Sequence, residues 1–253
     1  MKISEFQAIY VMWLRQMKRF IRSKSRLVSS IVQPLFFLFI LGSGFRVAVF
    51  EGVGDYLSFL APGIIAMAIL FSSMFTGISV LWDKQFGFLQ EVLVAPISRI
   101  SIIIGRTLGG ATVALIQGFI ILGITLILGV QISGFIGLIL TLLFMILIAF
   151  TAVGFGLIIA SKLEDFQGFQ LIMSLIIMPL LFLSSAFFPV TSNPSMKTIA
   201  MFNPLFYMVD GLRGSLIVNV ETVNPPLLNL LIVIIICIFM MAIGSYLFSK
   251  TET

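Results

Sequence analysis

The chain has no histidine and a single cysteine, Cys237, among its 253 residues. Without imidazole there is no His triad, no His-ligated metal and no imidazole acid or base. One thiol builds neither an intrachain disulfide framework nor a thiolate cluster, and nothing near Cys237 would lower its pKa. It reads as a small core hydrophobe. Charge is scarce as well: 10% of residues are charged, and all ten carboxylates fall between or beside the long apolar runs. A proton-driven pump ordinarily needs an ionisable group near the membrane midplane, and these runs offer none. No G-x-x-x-x-G-K-[ST] loop occurs, and the pair Gly42, Gly44 lacks the third glycine of a dinucleotide fingerprint.

What remains is hydrocarbon: 60% of residues are apolar and the mean hydropathy is +1.19, far outside the soluble range. Helical spans need about twenty apolar residues each, whereas membrane barrels alternate over segments of about ten. No such alternation is present, so the expected class is an all-α membrane protein. Six transmembrane helices are predicted, at Leu27–Phe50, Leu57–Trp82, Thr107–Val130, Phe135–Ala160, Leu171–Phe188 and Leu227–Phe248. The first run is long enough to span and is expected to stay as an anchor.

With the amino terminus inside, twelve cations fall on inner segments and three, Arg46, Lys197 and Arg213, on outer ones. That bias predicts a multi-pass plasma-membrane protein with both termini cytoplasmic. The pI of 9.6 then reflects anionic lipid headgroups and topology, not nucleic acid.

Residues 1–26 place Phe6, Ile9, Tyr10, Trp13, Met17 and Phe20 at helical spacing, with Arg15, Lys18, Arg19 and Arg22 opposite. The pattern fits an amphipathic cytosolic helix in the interface, or a basic flank that only sets topology. Residues 27–248 form the membrane domain, and 249–253 a cytosolic tail. The segment 189–226 is rich in proline yet greasy, so short helices folding back on the outer face are expected there.

Polar side chains inside the spans are hydroxyls and amides: Gln33 on the first, the stripe Ser72, Thr76, Ser79 on the second, and Gln117 on the third. Such groups commonly bond their own or a neighbouring helix; lining a substrate path is the sharper reading. Gly105 and Gly109 read as ordinary helix packing, and Glu164 with Asp165 as a solvated loop more than a metal site.

The stretch DKQFGFLQEVLVAPISR, residues 83–99, breaks the hydrocarbon. Phe86, Leu89 and Val92 or Leu93 recur with helical spacing, Gln90 and Glu91 face elsewhere, and Pro96 should end the turn. A cytosolic helix with exposed apolar residues needs a partner or lipid.

The segment resembles the cytosolic loop of ABC-2 type permeases, the membrane subunits of a class of ATP-binding cassette exporters that includes multidrug-resistance members. Asp83, Gly87, Leu89, Glu91, Pro96, Ser98 and Arg99 match that pattern, and Phe88 replaces a small hydroxyl residue. FLSSAFFPV, which includes Phe188 and Pro189, is similar to the family's Leu-Ser-Gly-x-Phe-Phe-Pro run, with Ser185 in place of glycine. NPLFYMVDGLR looks like its Asn-Pro-Leu segment and supplies Asn203, Pro204, Asp210 and Arg213.

The resemblance implies a twelve-helix dimer of two permeases, homodimeric or heterodimeric. Each copy docks a separate ATP-binding cassette subunit through a coupling loop spanning 83–106. Asp83, Phe86, Gly87, Leu89, Gln90, Glu91, Pro96 and Arg99 would form that contact, with Glu164 and Asp165 on a second loop. ATP and Mg would sit on the partner and no cofactor on this chain.

The expected function is ATP-driven export of an amphipathic or lipophilic compound: drug-like, lipid or glycolipid. A secondary transporter or channel is the alternative, and a membrane-embedded transferase or hydrolase would need clustered carboxylates or an activated nucleophile that the sequence lacks.

Overall fold

The computed structural model describes residues 5–44, 55–95, 97–163, 165–190, 193–218, 220 and 222–250, without the side chains of Arg26, Leu89 and Leu93. Among these residues five helices are long and apolar enough to cross a membrane. They are α2 (Lys24–Gly44, apolar from Leu27), α3 (Tyr56–Gln85), α5 (Arg99–Ile127), α6 (Gly134–Lys162) and α11 (Pro226–Ser249). The expected end of the first span, residues 45–50, and Arg46 lie outside the described residues.

The fifth expected span takes a different form. In place of 171–188, helix covers Phe166–Phe182 as α7 (Phe166–Ile172), one π-helical turn (Met173–Ile177) and α8 (Met178–Phe182). Seventeen residues rise only about 25 Å, short of a ~30 Å hydrocarbon core. Pro179 has no N–H to donate to Leu175, and the π turn sits where that bond is lost. After Phe182 the backbone leaves the helix: Ser184 Oγ bonds the Leu181 carbonyl at 2.6 Å, and Ser185 takes a left-handed φ of 62°. That position is where the motif resembled has glycine, which adopts this conformation at no steric cost.

Charged residues assigned to the 83–106 loop turn out to be helical. The helix α3 runs through Asp83 and Lys84 to Gln85, and α5 starts at Arg99, so Arg106 is inside a helix. Ser98 sets that start by accepting from the Ser101 N–H at 3.1 Å. The connecting segment shrinks to 86–98 and carries α4 (Phe88–Val94), which Gly87 joins to α3 with a φ of 73°. The second proposed loop, 161–170, likewise narrows, since α6 ends at Lys162 and α7 starts at Phe166.

At the centre stands α3, buried without interruption from Phe59 to Leu70 and packed on α2, α5, α6 and α10 (Pro204–Leu216). A Cβ at Gly77 would lie 2.5 Å from the Gly156 carbonyl, so α3 and α6 cross backbone to backbone.

The helix expected near the amino terminus is α1 (Glu5–Arg22), and its buried face is Ala8, Met12, Gln16 and Phe20. It runs beside the first half of α5. Hypothetical Cβ atoms at Gly105 and Gly109 would come within 2.7 Å of Met12 and Gln16, so the GxxxG spacing serves this contact. Phe6 and Tyr10, expected on one apolar stripe with Phe20, stay exposed.

The segment expected on the outer face forms two short helices, α9 (Pro194–Met201) and α10. Each begins with Asn-Pro. The Asn193 and Asn203 side chains accept from Ser195 and Leu205 N–H at 3.0 Å, and proline's fixed φ suits the first helical position.

Candidate functional site

Three polar regions are set into this apolar frame. The first lies where α1, α3, α4 and α5 meet. Asp83 is 3% exposed and faces inward. Arg15 donates to it from both terminal nitrogens, one at 2.9 Å, Arg106 donates at 2.6 Å, and Arg19 approaches to 3.6 Å. Asp83 was expected on the ATPase-contact surface; its carboxylate is instead taken up inside the fold. Arg106 is fully buried beside the Phe248 ring of α11. Leaving one such cation without its carboxylate would cost several kcal/mol, so the cluster holds together or fails together.

The same corner grips α4. The Arg15 guanidinium that bonds Asp83 also stacks 3.7 Å from the Phe88 ring centroid. Arg19 stacks on Trp82 at 4.6 Å. At the far end of the loop, Glu5 accepts from the Ser98 N–H at 3.2 Å and from the Ser98 and Ser101 hydroxyls. These bonds hold its carboxyl below the ordinary value of 4.5, the Ser101 hydroxyl contributing most. Helix α1 therefore spans both ends of the α4 loop.

The outward side of the loop is bare. Phe86 is 82% exposed and Val94 86% exposed, and Gln90 and Glu91 are exposed between them. Leu89's backbone lies in α4, and Pro96 lies outside the described residues. Arg99 is drawn elsewhere, donating to the Ser249 carbonyl at the end of α11, where a cation complements the helix dipole. Asp165 caps α7 by accepting from Gly168 N–H at 2.6 Å, and Glu164 lies outside the described residues.

The second region is a polar groove between α1, α2, α3 and α5. Ser72, Thr76 and Gln117 line one hollow with Gln16 and Phe20, and Gln33, Ser72 and Gln117 line an adjoining one with Ser30 and Phe71. Four of the five expected path residues thus converge. The fifth, Ser79, is committed to a neighbour, receiving a bond from Gln16 Nε2 at 3.3 Å and donating to the Thr76 carbonyl. Gln117 Nε2 donates to Ser30 Oγ at 2.8 Å, while its buried Oε1 has no partner among the described residues. A buried amide oxygen left unsatisfied costs about 1–3 kcal/mol, which a hydrogen-bond donor entering the groove would recover.

The third region lies around α10, in the segment expected on the outer face. Asp210 accepts from Val223 and Asn224 N–H at 3.2 and 3.1 Å and from Asn229 Nδ2 at 2.8 Å. Arg213 is buried over the Phe59 ring at 3.9 Å and donates to the Ser185 carbonyl at 2.6 Å and the Phe59 carbonyl at 3.3 Å. Asn203 Nδ2, next to Pro204, donates to the Leu180 carbonyl in the last turn of α8. Phe188 is exposed beside Pro189, and the neighbouring Phe187 carbonyl accepts from the Tyr56 hydroxyl at 2.8 Å. These residues tie loops to helix ends, and each backbone group satisfied this way is one fewer left bare at membrane depth.

Sequence reasoning missed Glu5, Arg15 and Arg106 as a unit, along with Gln16, Ser30 and Asn229. A usable signal was present for one pair: Asp83 and Arg106 stand at the facing ends of consecutive long helices, where opposite charges readily meet.

Among the described residues the fold is a bundle of long apolar helices with a short helix, α4, slung between the second and third of them. The family signature described as "ABC-2 type transporter" matches residues 7–217, and the chain belongs to that family. It is 31% identical over 219 residues to the putative transport permease ycf38 of Cyanophora paradoxa, covering 83% of this chain and 76% of that one. The inner membrane transport permease YadH of Escherichia coli K12 is 27% identical, covering 81% of both chains. Nodulation protein J of Rhizobium leguminosarum bv. viciae is 28% identical, over 84% of this chain and 81% of that one. The protein is a membrane transport permease.

Proposed function

We propose that the chain is the membrane subunit of an ATP-driven exporter, with α4 receiving force from a separate ATP-binding subunit. The observation that carries this reading is the two-sided character of the α4 segment. Outward it offers Phe86, Val94, Gln90 and Glu91 to a partner. Inward it is fastened through Phe88 to Arg15, and through Ser98 to Glu5. Exposed apolar side chains of this size call for a covering surface. The sequence holds no P-loop, so ATP and Mg belong to the partner in this scheme.

Two permease copies complete the pathway, as a homodimer or with a related chain, and both termini face the cytoplasm. The cargo is amphipathic or lipophilic: Ser72, Thr76 and Gln117 would meet its polar groups, and Phe71, Phe75 and Met67 its apolar body. Among the described residues no ionised side chain lines either hollow, which disfavours a charged solute.

Reconstitution with the cognate ATPase tests both parts. Glu91→Arg and Phe86→Ser should each lower substrate-stimulated ATP hydrolysis and transport by roughly tenfold while the permease stays folded. Normal coupled transport in both variants, or equal flux driven by a gradient without nucleotide, would favour the channel or secondary-transporter reading.

A further inference from the structure

We infer that α1 carries a binding site for the phosphate of an anionic membrane phospholipid, built from Lys18, Arg22 and Ser23 with Arg15 at its edge. Lys18 and Arg22 are four residues apart, on one face of α1, and both are exposed. Neither makes a hydrogen bond or ion pair among the described residues. Like charges at this spacing destabilise a helix unless something negative lies between them. With Arg15, Arg19 and Ser23 they line a single open hollow whose remaining walls are Val11 and Leu14. Cations, a hydroxyl and two apolar side chains match a phosphodiester with its glycerol and first methylenes.

Depth favours a lipid over a soluble anion. The apolar part of α2 begins at Leu27, five residues beyond Arg22. Helix α1 ends at Arg22 and α2 begins at Lys24, so Arg22 stands next to the entry of the apolar run and Lys18 one turn before it, and both long side chains can reach the headgroup layer. Lipid-compatible surface is at hand on α1 itself, where Tyr10 and Ile21 are more than half exposed.

The site is distinct from the polar groove. Gln16 and Phe20, which line the groove, lie on the other side of α1 from Lys18 and Arg22 at about 100° per residue. It still communicates with the proposed coupling segment, because Arg15 borders the hollow, bonds Asp83 and stacks on Phe88. A phosphate there would add a second anion to the Arg15 and Arg19 cluster and bear on how firmly α1 holds α4.

The full chain, purified in a neutral detergent and titrated with lipid, tests the assignment by its thermal unfolding. Phosphatidylglycerol should raise the midpoint saturably, and phosphatidylcholine should not. Lys18→Gln with Arg22→Gln should raise the half-saturating phosphatidylglycerol concentration by roughly thirtyfold, the product for two surface cations. The same pair without lipid should melt no lower than the parent does, Lys18→Arg should keep the response, and Lys197→Gln, on α9, should leave it unchanged. Equal responses to both lipids, or an undiminished response in the Gln variants, overturns the site. Should inorganic phosphate or glycerol phosphate reproduce the shift at similar concentration, the ligand is a soluble anion and the lipid assignment fails. If the double variant does not fold, either single Gln variant must still show a weakened response, and an unchanged one overturns the proposal.

Discussion

Asp83 shows how one carboxylate can organise several elements. Three arginines from two helices converge on it, and Arg106 is wholly buried, so removing the negative charge strands a cation inside the bundle. Asp83→Asn should therefore cost about 3–5 kcal/mol of stability, visible as a lowered unfolding midpoint in detergent. Asp83→Asn combined with Arg106→Leu should recover much of that loss, because the stranded charge is gone as well. A double variant no better than the single one would show that Arg106 is not the group Asp83 holds. Glu5 acts at the other end of α1, where bonds from Ser101 and Ser98 hold its pKa down. A depressed carboxylate stabilises above its ordinary value of 4.5, and that contribution is lost as pH falls through the lower, folded value. Acid should thus loosen the start of α1, read as faster proteolysis ahead of Gln16, whereas Glu5→Gln should be loose at neutral pH and flat with acid.

At the scale of elements, α1 is a strut beside α5, not a free amphipathic float. Its contact depends on Gly109, where a side chain would run into Gln16 and the Trp13 carbonyl at 2.7 and 3.3 Å. Gly109→Leu should displace α1 at a cost of about 1–3 kcal/mol and break the 3.1 Å bond from Trp13 Nε1 to Thr112 Oγ1. Fluorescence of Trp13 with Trp82→Phe reports this motion. An unchanged spectrum and midpoint in Gly109→Leu would mean the helices need not touch. The broken helix α7–α8 is the other element whose form matters, because its end is held by Asn203 and its turn by Arg213.

For the whole molecule, the twelve-to-three division of cations, to which the N-terminal segment contributes seven, predicts that both termini face the cytoplasm. In a Cys237→Ala background, Asn193→Cys should react in intact cells with an impermeant thiol reagent, and Lys250→Cys should react only after permeabilisation. The reverse pattern would invert the protein in the membrane.

Membrane class, the approximate positions of the five long helices and the existence of a break between the second and third of them were legible in the sequence, because hydropathy is a local, additive property of each segment; the narrowing of that break from 83–106 to 86–98 was not. The motifs around Gly87, Pro189 and Asn203 were legible too, since turns and caps are written in neighbouring residues. The path residues were legible as a set but not as a place: Gln33, Ser72, Thr76 and Gln117 come from three helices that hydropathy cannot orient. Tertiary structure alone decided that Asp83 faces inward to Arg15, 68 positions away, and that Arg106 is buried while Lys18 and Arg22 are not. A charge near a helix end can point to water or to a partner at similar local cost, and only the packing of α1 on α5 supplies the partner.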